Sequence, residues 1–184
     1  MPTQSSRTDS LFRDRITDLA HQHPPAPTFA PHITLMPTKP PTDDLATLQR
    51  SIQTALKSWN EASTRSGPIK LKLQPAQAGD IFFQAIISPV DPTSASDSGL
   101  GDLRKRSEDA LDVHPPRYFP HLSLMYSDKD KSELERIAAE TNDTHRGEGL
   151  PSEVDVDEIW IVKAAGEVHT WHPVVRLSLD GDVL

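Results

Sequence analysis

Residues 29–36 are Phe-Ala-Pro-His-Ile-Thr-Leu-Met, and residues 119–125 are Phe-Pro-His-Leu-Ser-Leu-Met. Each copy contains a Pro-His pair, an aliphatic residue, a hydroxyl residue and then Leu-Met. Packing in a core would fix the aliphatic residues of such a segment but not the polar residues between them. A single His in a strand is commonly a structural residue, whereas the repetition of the whole pattern favours a paired functional site.

Both copies have the alternation expected of a β-strand. Side chains two positions apart in a strand point to the same face, so His32 shares a face with Thr34, and His121 shares one with Ser123. The aliphatic residues between and after them point to the opposite face. The pattern therefore predicts two strands, each with an imidazole and a hydroxyl on a polar face and with an apolar face behind.

Length and composition limit the class of protein. The 184 residues suffice for one domain with a buried core, and we expect residues 1–184 to form a single domain. The absence of cysteine excludes disulfides, thiolate metal sites and a cysteine nucleophile, and it is typical of a reducing compartment. No signal core or window of ~20 apolar residues is present. We therefore expect a soluble protein of the cytoplasm or nucleus without a membrane partner.

The charge of the chain argues against an extended nucleic-acid surface. Acidic residues number 27 and basic residues 19, and the formal net charge is −8. No run of Lys or Arg is longer than residues 104–106, so we expect no DNA partner. A small anionic ligand held at one place is compatible with this charge, and we expect a monomer.

The remaining periodicities predict helices alternating with strands. In the first half we expect a helix at residues 9–22, the first motif strand, a helix capped by Thr42 with an apolar stripe from Leu45 to Trp59, and a hairpin of residues 69–74 and 81–90. An exposed loop at residues 89–101 follows. In the second half we expect a helix around Leu103, the second motif strand at 118–127, a helix at 128–140 and a closing hairpin of residues 153–162 and 171–179. This order predicts an α+β fold of two similar lobes, each an antiparallel sheet with helices packed outside, forming a central cleft. The two motif strands could then lie side by side, and their polar faces would form one concave floor.

The other histidines lack a comparable motif. His21 and His23 lie at the end of the first predicted helix, where a His interacts well with the helix dipole. His145, His169 and His172 lie in loops or beside a hairpin and are interpreted as surface residues. We assign a functional role to none of them.

Two imidazoles on one floor can serve as base and acid in a single reaction, because the ordinary pKa of His is about 6.5. Neighbouring hydroxyls can donate hydrogen bonds to the oxygens of a tetrahedral anion, and a phosphate in a strained ring fits that description. A metal site is less favoured because both motifs lack carboxylates. A serine hydrolase is also less favoured, since Ser123 lies in no Gly-x-Ser-x-Gly turn.

These residues resemble those of a known family. Residues 32–35 and 121–124 look like the doubled His-x-Thr/Ser-x signature of the two-histidine (2H) phosphoesterases, and most like that of the cyclic phosphodiesterases of plants and fungi. The resemblance spans about residues 28–180. Flanking residues similar to the family are Phe29, Pro31, Phe82-Phe83-Gln84, Tyr118-Phe119-Pro120, Tyr126, Glu158-Ile159-Trp160 and Trp171.

The resemblance implies opening of ribose cyclic phosphates without a metal ion or another cofactor. The implied reactions convert a nucleoside 2′,3′-cyclic phosphate to the 2′-phosphate, and ADP-ribose 1″,2″-cyclic phosphate to the 1″-phosphate, downstream of tRNA splicing. By motif match, His32 and His121 would transfer protons, and Thr34 and Ser123 would hold phosphate oxygens. Tyr126 would line the site near the base or the ribose.

The amino-terminal segment departs from the family pattern. Relatives usually begin with an apolar strand of the Ser-Leu-Trp-Leu-Val-Pro kind, whereas this chain begins with polar residues and reaches its first predicted helix by about residue 10. Two alternatives therefore stand beside the hydrolysis of small nucleotides. One is an RNA-end processing phosphoesterase of the same superfamily, and the other is a nucleotide-binding protein with weakened catalysis.

Overall fold

The computed structural model describes residues 4–36, 43–63, 67–115, 117–143 and 149–184, with side chains from residue 8 onward. Helices and strands alternate through these ranges and confirm the α+β class. The elements are α1 (Gln4–Gln22), α2 (Leu45–Ala62), β1 (Ile69–Lys72), β2 (Gln77–Ala78), β3 (Ile86–Pro89), α3 (Pro92–Asp97), α4 (Leu100–Leu111), β4 (His121–Met125), α5 (Lys131–Asn142), β5 (Glu153–Val156), β6 (Glu158–Lys163) and β7 (His172–Ser178). The division into two similar lobes stays a prediction.

The strands form three antiparallel sheets in the described parts of the chain. Their orders are β1-β5, β2-β3-β4 and β6-β7. The second motif is β4, at one edge of the three-stranded sheet, and α1 packs against it. The first motif lies along the free side of β4, where Ile33 forms an isolated antiparallel bridge with Leu122. The expectation that the two motifs lie side by side therefore holds.

The prediction of a regular strand for the first motif was wrong, because only Ile33 is bridged. Pro31 has no N–H to donate to a ladder. The carbonyl oxygen of Ala30 contacts the ring of His32, and that of Leu35 accepts a hydrogen bond from Arg104. Side chains therefore contact the backbone carbonyl oxygens that would otherwise accept hydrogen bonds from a neighbouring strand.

The predicted hairpin of residues 69–74 and 81–90 was also wrong. β1 pairs with β5, so that Ile69 lies opposite Val156 and Leu71 opposite Val154, and only the bridge between Leu73 and Val90 joins the two predicted arms. The pairing with β5 puts apolar residues of both strands on one buried face, while the lysines of β1 stay exposed. A short 3-10 helix, Phe82–Gln84, replaces the start of the second predicted arm.

The exposed loop expected at residues 89–101 contains a helix. Asp91 accepts a hydrogen bond from the backbone N–H of Ser94 at 2.9 Å, and Pro92 occupies the first turn of α3. An Asp cap followed by proline is a start signal for a helix. The Ser- and Asp-rich composition of the segment concealed this signal.

The amphipathic helix α2 supplies much of the core. Its buried residues are Ile52, Ala55, Leu56 and Trp59. Asp44 caps it in place of Thr42, which lies outside the described residues, and Leu45 is 39% exposed although we expected it to face inward. None of the described helices is long and apolar enough to cross a membrane.

A close approach between Trp59 and Gly99 joins α2 to the start of α4. Trp59 is 1% exposed, and its Nε1 donates to the carbonyl oxygen of Gly99 at 3.0 Å. Gly99 has a φ of +74°, and a Cβ at this position would lie 3.1 Å from Nε1 of Trp59. Both the backbone angle and the available space therefore require glycine here.

We predict that Gly99→Ala lowers the free energy of unfolding by about 1–2 kcal/mol, because alanine is strained at positive φ and crowds Trp59. Gly101→Ala is the matched control, since Gly101 lies in the first turn of α4 with nothing within 4 Å of its Cβ position. That control should leave stability unchanged or raise it by up to about 1 kcal/mol. Urea unfolding followed by circular dichroism measures both, and equal effects of the two substitutions would contradict the assignment.

Candidate active site

The bridge between Ile33 and Leu122 determines how the two motifs face each other. Both side chains point to the core: Leu122 is 3% exposed, and Ile33 and Leu35 pack against the core cluster. Leu124, two residues after Leu122, is fully buried on the same side. The prediction that the aliphatic residues of both motifs face the core is therefore confirmed, and in a strand the residues between them point the other way.

The register of this bridge places four polar side chains on the opposite face. In an antiparallel pair with Ile33 opposite Leu122, His32 is the cross-strand neighbour of Ser123, and Thr34 is that of His121. The two imidazoles then occupy one diagonal of this group, and the two hydroxyls occupy the other. A tetrahedral group placed over the centre could meet all four side chains.

The two imidazoles are held in the same way. Nδ1 of His32 lies 2.7 Å from the carbonyl oxygen of Ala30, and Nδ1 of His121 lies 2.7 Å from that of Phe119. A carbonyl oxygen can only accept a hydrogen bond, so Nδ1 carries the proton in both rings. Nε2 is therefore the nitrogen that gains and loses a proton, and it is available to a ligand.

The surroundings of His121 favour its neutral form. Burial lowers the pKa of His121 below its ordinary value of 6.5, and the nearby charge of His32 lowers it further, while the hydrogen bond to Phe119 partly opposes both. Near neutral pH, His121 is therefore suited to accept a proton through Nε2.

The hydroxyl of Ser123 connects the polar group to the neighbouring turn. Ser123 is 5% exposed, and its Oγ donates to the carbonyl oxygen of Phe83 at 3.1 Å. Burial raises the pKa of Tyr126 to about 12, although a hydrogen bond with Ser123 partly opposes the shift. Tyr126 thus keeps its phenolic proton at physiological pH and remains a neutral hydrogen-bonding group beside the motif.

An aromatic cluster encloses Tyr126. The ring of Phe29 stacks on that of Tyr126, with 4.0 Å between centroids and 10° between planes, and also meets the ring of His32 edge-on at 6.0 Å. Phe83 contacts Tyr126 edge-on at 5.3 Å, and Trp171 lies 5.7 Å from Phe83. The cluster therefore extends from the first motif to the connection between β6 and β7.

Sequence reasoning missed Arg104, which lies in α4 and is 5% exposed. Its guanidinium donates to the carbonyl oxygen of Leu35 at 2.9 Å and to the carboxylate of Glu108 at 2.6 Å, and it lies 4.5 Å from the ring centroid of Tyr118. It therefore links α4 to the end of the first motif and to the segment before the second. Of these three contacts, only the ion pair with Glu108 could be predicted from the sequence, because the two residues are four positions apart in a helix.

Ring contacts and electrostatic effects connect His32, His121, Ser123 and Tyr126, and the bridge between Ile33 and Leu122 places Thr34 beside His121 by register. The other described histidines lie elsewhere, and His145 is outside the described residues. His169 pairs with Glu167 at 3.2 Å, and His172 begins β7 in an exposed position. Within the described ranges, no group of three or more His, Asp and Glu side chains is placed to hold a metal ion.

Comparison with known proteins gave one family. A family model described as cyclic phosphodiesterase-like protein matches residues 1–179. A search of curated proteins gave no match. The matched region contains both motifs, the aromatic cluster and Arg104.

We predict that the pKa of His121 lies below 6.5 and that His32→Gln raises it, because the substitution removes a positive charge next to His121. The pKa should still stay below 6.5 in this variant, since burial, the larger cause, is unchanged. An NMR titration of the Cε1–H signal of His121 measures both values. An unchanged pKa of His121 in the His32→Gln variant would show that the two rings do not face each other.

Proposed function

The chain belongs to the cyclic phosphodiesterase-like protein family, which supports a cyclic phosphodiesterase activity, and we propose that its substrates are small ribose cyclic phosphates. The proposed reactions convert a nucleoside 2′,3′-cyclic phosphate to the 2′-phosphate, and ADP-ribose 1″,2″-cyclic phosphate to the 1″-phosphate. The observation that carries this proposal is the arrangement of two imidazoles on one polar face, each with Nδ1 bonded to a carbonyl oxygen and Nε2 available.

His121 acts as the general base in this mechanism, because its lowered pKa favours the neutral ring. Its Nε2 takes a proton from water as the water oxygen attacks phosphorus, and the bond from phosphorus to the 3′-oxygen breaks. His32 donates the proton of its Nε2 to the departing 3′-oxygen. The phosphate stays on the 2′-oxygen, and both imidazoles return to their starting states by exchanging protons with solvent.

Thr34 and Ser123 stabilise the negative charge that accumulates on the non-bridging phosphate oxygens. They occupy the second diagonal of the polar group, so their hydroxyls approach the phosphate from positions between the imidazoles. Ser123 Oγ donates to the carbonyl oxygen of Phe83 in the structure, and the proposed mechanism requires this hydroxyl to turn from Phe83 towards the phosphate. Tyr126 lies beside this group, where the ribose or base of the substrate would lie.

We expect purified protein to convert 2′,3′-cyclic AMP to 2′-AMP at the same rate with and without EDTA. The two imidazoles supply acid and base, so the mechanism requires no metal-bound water. Chromatography that separates 2′-AMP from 3′-AMP measures the activity and the broken bond together. Loss of turnover in EDTA, or 3′-AMP as the product, contradicts the proposed mechanism.

We also predict that His32→Ala and His121→Ala each remove nearly all turnover of 2′,3′-cyclic AMP, and that kcat of the wild-type protein depends on pH as a bell-shaped curve. Thr34→Ala and Ser123→Ala should each lower kcat by about 10² to 10³, the effect of one lost donor to an anion. His172→Ala is the matched control, because His172 also places Nδ1 near the carbonyl oxygen two residues before it, at 2.9 Å, but lies outside the polar group. Full turnover of His32→Ala would exclude the role assigned to it.

A further inference from the structure

A groove adjoins the polar group, and the acid–base steps described above assign no role to it. It encloses about 610 Å³, a volume typical of small-molecule sites. One wall is the end of α1 and residues 25–28, and the other is the connection between β6 and β7, which includes His169 and Trp171. Phe82 and Phe83 also line the groove.

The groove is continuous with the candidate active site through two contacts. Thr28 lines the groove and immediately precedes Phe29, whose ring stacks on Tyr126. Phe83 lines the groove and is 46% exposed, and its carbonyl oxygen accepts the hydrogen bond from Ser123. A ligand whose phosphate lies between the imidazoles can therefore extend into the groove.

The lining residues suit a flat, uncharged ring. The rings of Phe83 and Trp171 are inclined by only 31°, with 5.7 Å between centroids, so they present neighbouring aromatic surfaces. Among the described residues that line the groove there is no Lys or Arg, and the one carboxylate among them, Glu167, pairs with His169 at 3.2 Å. Aromatic side chains without a Lys or Arg beside them favour a nucleobase over a phosphate group.

We propose that this groove binds the base of a nucleoside that is linked through one or two phosphates to the 5′-oxygen of the ribose that carries the cyclic phosphate. The inference rests on the proposed function, because the imidazoles must hold the cyclic phosphate for the 5′-linked unit to reach Phe83 and Trp171. Tyr126 then lies beside the reacting ribose, and the linking phosphate lies between this ribose and the groove. The preferred substrate is accordingly larger than a mononucleotide.

Steady-state kinetics with matched substrates test the proposal. The substrates are 2′,3′-cyclic AMP, the dinucleotide of two adenosines that ends in a 2′,3′-cyclic phosphate, and ADP-ribose 1″,2″-cyclic phosphate. We expect kcat/KM of the wild-type protein to be about tenfold higher for an extended substrate than for the mononucleotide, the size of one base–aromatic stack. Trp171→Ala should remove this gain, so that kcat/KM falls about tenfold more for the extended substrate than for the mononucleotide, while Trp171→Phe should keep most of the gain.

Trp160→Ala is the control for loss of a partly exposed tryptophan outside the groove, since Trp160 lies on β6 and donates to Glu158. It should change none of the three rates. A gain for only one extended substrate identifies the accepted linkage. Equal kcat/KM for all three substrates, or an equal loss of kcat/KM for all three in Trp171→Ala, overturns the proposed base site in the groove.

Failure of the proposed function has a different signature. If the wild-type protein hydrolyses none of the substrates, calorimetry compares binding of adenosine 3′-monophosphate with that of the adenosine dinucleotide ending in a 3′-phosphate. Tighter binding of the dinucleotide that Trp171→Ala abolishes supports the groove without the reaction. Equal binding of both ligands rejects the groove as well.

Discussion

The candidate site depends on one backbone bridge, between Ile33 and Leu122. A shift of one residue in this pairing would turn the imidazole and hydroxyl of the first motif towards the core. The register is held from both sides, because Ile33 packs its side chain into the core and Arg104 bonds the carbonyl oxygen of Leu35. The short bridge therefore suffices to place four polar side chains together without a regular ladder along the first motif.

The sequence predicted the features that depend on local alternation, and it failed where distant partners decide. The faces of both motifs and the buried residues of α2 follow from periods of 2 and 3.6 residues. The pairing of β1 with β5 was missed, because nothing near Ile69 indicates whether its partner strand contains Val156 or is the apolar run beginning at Ile81, which is nearer in the sequence. The contacts of Arg104 with Leu35 and Tyr118 were missed for the same reason. α3 is a different case, since Asp91 and Pro92 did signal its start but the surrounding composition was given more weight.

The site combines a polar centre with an aromatic border. Burial of Ser123 and Tyr126 lowers the local polarity around the imidazoles, so hydrogen bonds to a developing anion are stronger there than in water. The ring of Phe29 contacts both Tyr126 and His32, and thereby connects the aromatic border to the proton-transfer pair. Phe83 joins the same border to the polar centre through its carbonyl oxygen and to the groove through its ring. One short turn, Phe82–Gln84, therefore contributes to both parts of the site.

The acceptors that orient the two imidazoles are main-chain atoms of Ala30 and Phe119. In many enzymes a carboxylate side chain orients the histidine, and one point mutation can delete it. A peptide carbonyl is present whichever amino acid occupies the position, so no exchange of side chain at residues 30 or 119 can remove the acceptor itself. The tautomer of each histidine thus depends on the path of the backbone. A substitution at residue 30 or 119 can change the tautomer only if it displaces the chain.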